Sequence, residues 1–252
     1  MKIAIVTGAS SGLGKEFAAE IIEKHQELEE IWLIARRKER LEEIIQKYPK
    51  KTIKAFPLDL GNEESFLELE KTLAEIKPDI KILVSNAGIG TRGVFEEKTM
   101  ESQLNMVNLN TRGYVAITKL CLPYMKKGSF IVETCSVCSF VPNPSMAVYS
   151  GTKAFVLYFS RAIREELKTR GINVCAVCPG NMASEMAILS EQKSNKSLVN
   201  NLPFLDMKKV ASGSLKAAQS GKSVYTPGLF YKLYRVTSKI FPHDLIIPFA
   251  KG

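Results

Sequence analysis

The sequence has few of the features that mark several protein classes. No run approaches the roughly 18 apolar residues of a membrane-spanning helix. The N-terminal MKIAIVTGASSG has one Lys and then only four apolar residues before Thr7 and Gly8. A secretory signal needs an apolar core of about 7–15 residues. A cytoplasmic protein with reduced thiols is therefore expected. His25 and His243 are the only histidines, and neither has sequence neighbours that suggest a ligand set or a triad. The cysteines number five. Four of them form two C-x-x-C pairs, Cys135/Cys138 and Cys175/Cys178, a spacing that can signal zinc. Both pairs fall on or beside strand-like runs, where residues three apart point to opposite faces unless the strand has already turned. No metal site is expected, and these cysteines, with Cys121, are read as small packing hydrophobes. Repeats, low-complexity segments and linkers are absent too. The 252 residues are read as one domain, 1–252, long enough to fold without disulfide or metal.

The formal net charge is +9. Lys and Arg are scattered among Glu on helical segments and form no stripe with aromatics, which argues against nucleic acid. Solubility or an anionic ligand or partner remain as its meaning.

What is present is alternation. IAIV (Ile3–Val6), IWLIA (Ile31–Ala35), TIKAFPLD, KILVSNAG, SFIVETCS and INVCAVCPG read as strands. Amphipathic stretches separate them, including a long helix from about Thr99 to Met125 and another through MAVYSGTKAFVLYFSRAIREELKTR. Near-continuous apolar strands alternating with helices imply a parallel sheet covered on both faces. Two regions break the rhythm. Residues 181–206 mix Met182, Met186, Leu202 and Phe204 with Ser, Asn and Lys, and are read as a substrate lid ahead of a plain surface excursion. The aromatic and basic tail, about 225–252, is read as packing on the core or pairing subunits, ahead of lying on a membrane.

Thr7-Gly8-Ala9-Ser10-Ser11-Gly12-Leu13-Gly14 follows the first strand and opens the first helix. Glycines there let the backbone approach a ligand, and free N–H groups at the helix start attract a pyrophosphate. The spacing is G-x-x-x-G-x-G, not the usual G-x-G-x-x-G fingerprint. At the end of the second strand, where an acid often accepts from a ribose hydroxyl, stand Arg36 and Arg37. Guanidinium groups suit a 2′-phosphate, so NADP(H) is expected in preference to NAD(H); a solvated basic helix start is the plainer reading.

Tyr149 and Lys153 are four apart on a predicted helix and share a face. A free tyrosine titrates near ~10. An adjacent ammonium is expected to lower that value and make the pair a usable acid and base. Ser136, thirteen residues before Tyr149, ends the fifth strand and can face Tyr149 across a cleft.

With these motifs the chain resembles the short-chain dehydrogenase/reductases in their single-domain form. The matching pieces are Thr7–Gly14, Asp59-Leu60, Ser85-Asn86-Ala87-Gly88, Asn110, Ser136, Tyr149-x-x-x-Lys153 and Pro179-Gly180. Asn110 is preferred to Asn108 for its distance from Leu122-Pro123. Ser85 departs from the second Asn often found there. The resemblance implies a Rossmann-type, doubly wound α/β sheet of about seven strands in the order 3-2-1-4-5-6-7. It implies that Tyr149 donates the proton, Ser136 holds the carbonyl oxygen, Lys153 holds ribose hydroxyls and tunes Tyr149, and Asn110 positions a water. Gly8, Ser10, Ser11, Gly12, Leu13 and Gly14 would cradle phosphates. Asp59 and Leu60 would flank the adenine, and Asn86, Ala87 and Gly88 would line the cofactor cleft. Pro179, Gly180, Met182 and Ser184 would contact the nicotinamide end. The family often pairs its long helices, so a homo-oligomer built on Met100–Met125 and Ala147–Arg170 is expected.

For the substrate, the lid, the loop Phe140-Val141-Pro142, Met146, Met186, Ile89 and Val94 suggest a bulky hydrophobic ketone or alcohol, of hydroxysteroid type. A 3-oxoacyl-thioester reductase is the alternative, although the D-G-G ending common among such bacterial reductases is missing. A non-catalytic dinucleotide-binding sensor is the reading from another class.

Overall fold

A computed structural model of the chain describes residues 1–183, 185 and 202–250. Ser184, Met186 and most of the expected lid lie outside the described residues. Seven strands form one sheet in the order β3-β2-β1-β4-β5-β6-β7. They are β1 (Lys2–Thr7), β2 (Glu30–Ile34), β3 (Ile53–Phe56), β4 (Asp79–Ser85), β5 (Met125–Thr134), β6 (Asn173–Val177) and β7 (Val224–Tyr225). Every pairing is parallel. The predicted third strand ran on to Asp59, but Pro57, which has no N–H to give a ladder, follows β3 directly.

Helices cover both faces because alternate strand residues are apolar on both. On one face Ala4, Val6, Leu33, Val84, Val132 and Val177 pack against α1 (Gly12–Lys24), α2 (Lys38–Lys47) and α7 (Met207–Gln219). On the other, Ile5, Trp32, Ile34, Leu83 and Ile131 meet α3 (Glu63–Ile76), α5 (Gly113–Cys121) and the end of α6 (Ala147–Leu167). Each fully buried Ile or Leu contributes about 1.5–3 kcal/mol, so the two faces fix the sheet without disulfides.

The long helix expected from Thr99 to Met125 is four pieces. Helix α4 (Met100–Val107) starts at Thr99, whose hydroxyl accepts from the Ser102 N–H at 3.3 Å. A π turn, Asn108–Arg112, follows it, then α5, then a 3-10 turn at Leu122–Tyr124 that holds Pro123. Such turns recur at functional positions. This one buries Asn110 completely. Chain order reverses direction between β1 and β4, so the carboxyl ends of β1, β4 and β5 open on one crevice, the place where ligands bind such sheets.

Candidate active site

A cavity of about 810 Å³ lies over these strand ends. Its polar end is lined by Gly8, Ser10, Ser11, Gly12, Leu13, Arg36 and Arg37. Asp59, Leu60, Asn86, Ala87 and Gly88 follow, and Ser136, Tyr149 and Lys153 form its middle. Gly14 sits beneath the loop. A Cβ there would overlap the Gly8 carbonyl and crowd the Asn86 amide, so no other residue lets α1 start this close to the loop. Thr7 braces the floor: its hydroxyl accepts from the Asn86 and Ala87 N–H groups at 2.8 and 3.0 Å and donates to the Val84 carbonyl at 3.3 Å. A glycine-rich cradle, a helix N-terminus and a neighbouring basic end fit a dinucleotide with its pyrophosphate on α1.

The two arginines behave differently. Arg37 donates to the Ser10 hydroxyl at 3.2 Å and the Ser11 hydroxyl at 2.7 Å, and to the Glu185 carboxylate at 3.0 Å. Arg40 binds the other oxygen of the same carboxylate. Arg36 is more exposed and lies 3.8 Å from Asp59. Neither Glu185 nor Arg40 stood out in the sequence, because single charged residues in polar stretches are ordinary.

Ser136, Tyr149 and Lys153 converge, with one difference from expectation. The Ser136 hydroxyl caps the 3-10 turn Val137–Ser139, accepting from the Cys138 N–H at 3.2 Å. Lys153 is buried, and its ammonium donates to the Thr134 carbonyl at 2.8 Å and the Tyr114 hydroxyl at 3.4 Å. It lies 5.1 Å from the Tyr114 ring centroid and 5.9 Å from that of Tyr149. Burial pushes the Tyr149 phenol up, reinforced by Cys138 and opposed by Ser136 and Arg92. The expected lowering by Lys153 is therefore outweighed: desolvation dominates, and the ammonium's donors turn toward Thr134 and Tyr114. Burial also pushes Lys153 down to about 8, against the pull of Cys135 and Glu133.

Glu133 and Tyr114 were missed. Glu133 is fully buried on β5, in register with Ser85 of β4, and accepts from the Thr118 hydroxyl at 2.9 Å. Burial pushes it up to about 8, although the Thr118 hydrogen bond and Lys153 pull it down. An acid inside the apolar run SFIVETCS was the signal available. Tyr114 donates to the Thr134 carbonyl at 3.0 Å; nothing in its local sequence sets it apart from a core residue.

Asn108 is half-buried, and Asn110 does not line the cavity; Asn110 is fully buried behind Gly88, beside Lys153. Its Oδ1 accepts from the Ile89 N–H at 2.9 Å, and its Nδ2 donates to the Ile89 carbonyl at 2.8 Å and the Thr152 hydroxyl at 3.2 Å. The amide thus pins the strand-to-loop segment at Gly88 and Ile89 beside Lys153.

The far end of the cavity is more apolar. Ile89, Val137, Cys138, Met146, Pro179, Gly180 and Met182 line it, together with the polar Arg92 and Asn143. Two expected wall residues are elsewhere. Phe140 follows the 3-10 turn and points inward, packing with Val156, Leu157 and Tyr234. Val94 is exposed on the surface. The remaining wall comes from the chain's end: Phe230 and Tyr234 of α8 (Leu229–Ile240), then Ile246, Phe249 and Ala250 beyond it. Tyr231 fastens α8 down. Its hydroxyl donates to the Pro203 carbonyl at 2.7 Å and accepts from the Asn181 N–H at 3.1 Å. Its ring fills the space a Cβ on Gly180 would need.

The cysteine pairs separate. Cys175 and Cys178 pack in different clusters, as strand alternation requires. Cys135 packs instead with Cys178, while Cys138 faces the cavity.

Comparison with known proteins agrees with this fold. Residues 2–195 match the short chain dehydrogenase family. The chain is 32% identical over 203 residues to a very-long-chain 3-oxoacyl-CoA reductase of Anas platyrhynchos, covering 77% of this chain and 64% of that relative. A short-chain dehydrogenase from Sphingobium yanoikuyae, solved in complex with NADPH, superposes with a TM-score of 0.78 at 27% identity, over 95% of this chain and 94% of that one. The bulky-bulky ketone specific alcohol dehydrogenase from Comamonas testosteroni gives 0.74 at 26% identity, over 95% and 93%. The seven-stranded order and the match over residues 2–195 place the chain in the short chain dehydrogenase family.

Proposed function

We propose that the chain is an NADP(H)-dependent oxidoreductase that interconverts a bulky hydrophobic ketone and its secondary alcohol. One observation carries this reading. A single cavity joins the glycine loop and its arginines to Ser136 and Tyr149, and then to a wall of Val137, Met146, Phe230 and Phe249. Ser136 donates a hydrogen bond to the carbonyl oxygen. Tyr149, whose desolvated phenol holds its proton firmly, delivers that proton to the same oxygen as negative charge develops there. Lys153 binds the ribose hydroxyls from beside Tyr149, and Asn110 fixes the Ile89 segment against it. Bound nicotinamide supplies the hydride. Arg36 and Arg37 take the 2′-phosphate. That Arg37 and Arg40 already clasp the Glu185 carboxylate supports anion binding at this corner, as does the NADPH bound by the Sphingobium relative.

A second reading, 3-oxoacyl-thioester reduction, draws on the similarity to the Anas reductase, of whose length the chain spans 64%. A homo-oligomer is proposed on α4 and α6, where Met100, Leu104, Phe155 and Tyr158 are exposed apolar residues. The test is NADPH oxidation with a panel of steroid ketones, 3-oxoacyl thioesters and small aliphatic ketones. Turnover greatest with the bulky ketones is expected. Turnover confined to thioesters establishes the second reading. NADPH binding with no turnover on any member defeats both and leaves a dinucleotide sensor.

A further inference from the structure

Helix α8 has two apolar faces, and the fold uses only one. Tyr231, Tyr234 and Ser238 point inward, with the Tyr234 ring 6.4 Å from Phe140. Leu229, Leu233, Val236 and Ile240 point away and are 75%, 58%, 53% and 67% exposed. At 3.6 residues per turn these four fall within an arc of about 60°. The apolar surface continues past the helix through Phe241, Leu245 and Phe249, all exposed. Soluble monomers seldom leave such contiguous apolar surface to water.

Charge says what covers it. Lys232, Arg235 and Lys239 lie along one flank of the stripe, and the helix holds no Asp or Glu. From residue 207 to the end the chain has seven Lys and one Arg against a single acid, Asp244. A second copy seated on this stripe about a two-fold axis would bring the same cations against these. A surface both apolar and anionic satisfies stripe and flank together. That is the pattern of a helix lying in a lipid interface. Among the described residues no helix is long and apolar enough to cross a membrane.

We infer that α8 and the residues after it dock on an anionic lipid surface. Phe230 and Tyr234 of α8 and Phe249 beyond it line the cavity, so docking sets the apolar end of the site beside the acyl layer. This last step rests on the proposed function and makes the substrate a lipid-dissolved carbonyl; the docking itself does not depend on it.

The full chain is mixed with vesicles of phosphatidylcholine alone, or of phosphatidylcholine with phosphatidylserine, and sedimented. Binding to the mixed vesicles is expected, weakening as salt rises. The Leu233→Glu/Ile240→Glu variant should bind at least about tenfold more weakly, since it loses apolar burial and gains like charge. The Lys232→Ala/Lys239→Ala variant should lose about thirtyfold, at roughly 1 kcal/mol per cation near the surface. All four side chains are exposed, so thermal unfolding and NADPH binding should match the parent in both variants. Absence of binding to the mixed vesicles overturns the inference. So does equal binding by the Leu233→Glu/Ile240→Glu variant, or binding to neither vesicle together with a parent multimer that this variant reduces to a monomer. Failure of the ketone panel touches only the proposed function, and failure of sedimentation only the docking surface.

Discussion

The two ends of the cavity are built by different means. The cofactor end is made of strand termini and backbone: Thr7 braces Asn86 and Ala87, Gly14 admits α1, and Asn110 pins Ile89. The substrate end is made of side chains brought from distant segments: Met146 before α6, Pro179 and Gly180 after β6, and Phe230, Tyr234 and Phe249 from the last helix onward. At the first end a ligand of fixed shape is met by main-chain geometry, which tolerates little change. At the second, the tail can be altered without touching the sheet. One tyrosine, Tyr231, does much to hold that tail in place.

Substitutions can sharpen or break this contrast. The largest effect is expected where the two ends meet. Tyr149→Phe should lower turnover about a thousandfold, the scale of general acid catalysis, with NADPH affinity within a few-fold of the parent. Retained turnover would refute the assignment.

Next is Glu133, buried behind the cofactor end. Its native pKa stands above its unfolded one, so the native chain holds this proton more tightly. The stability this gives is complete below pH 4.5 and is lost as pH rises to about 8. Glu133→Gln keeps the neutral shape and removes the titration. Its melting temperature should fall less between pH 5 and pH 8. The difference in stability lost across that range should amount to on the order of 3 kcal/mol. Parallel melting curves across that range would show that Glu133 does not titrate there.

A charge change at the basic corner follows. Arg37→Ala removes a guanidinium that also holds Ser10 and Ser11, and should weaken NADPH binding about thirtyfold, or roughly 2 kcal/mol. NADH binding should change much less. Equal losses for both cofactors would assign Arg37 to the loop alone and not to the phosphate.

The smallest effect tests the tail. Tyr231→Phe loses two hydrogen bonds, worth about 1 kcal/mol each. It should raise KM for bulky ketones several-fold while leaving NADPH affinity unchanged. A loss of NADPH affinity as large as the rise in KM would erase the distinction between the two ends.

The same contrast explains what the sequence could tell. Glycines, Ser136 and the Tyr149-x-x-x-Lys153 spacing act over a few residues of one strand or helix, so their chemistry is written locally. The sheet order followed from the family they resemble. Phe140 was misjudged because a 3-10 turn rotates it inward, and apolar composition alone cannot show direction. Tyr114 and Glu185 act across the fold, where spacing carries no information. Glu133 was visible in principle, as one acid in an apolar strand.

The π turn at Asn108–Arg112 has a consequence for how this chain can vary. It places one surplus residue between α4 and α5. Each residue turns a helix by about 100°. Losing that residue would restore a regular helix and swing α5 about a quarter of a turn relative to α4. Asn110 would leave Ile89, and Tyr114 would leave Thr134. Length here is a phase setting: single insertions or deletions between Met100 and Cys121 should be far rarer in functional descendants than substitutions at the same positions.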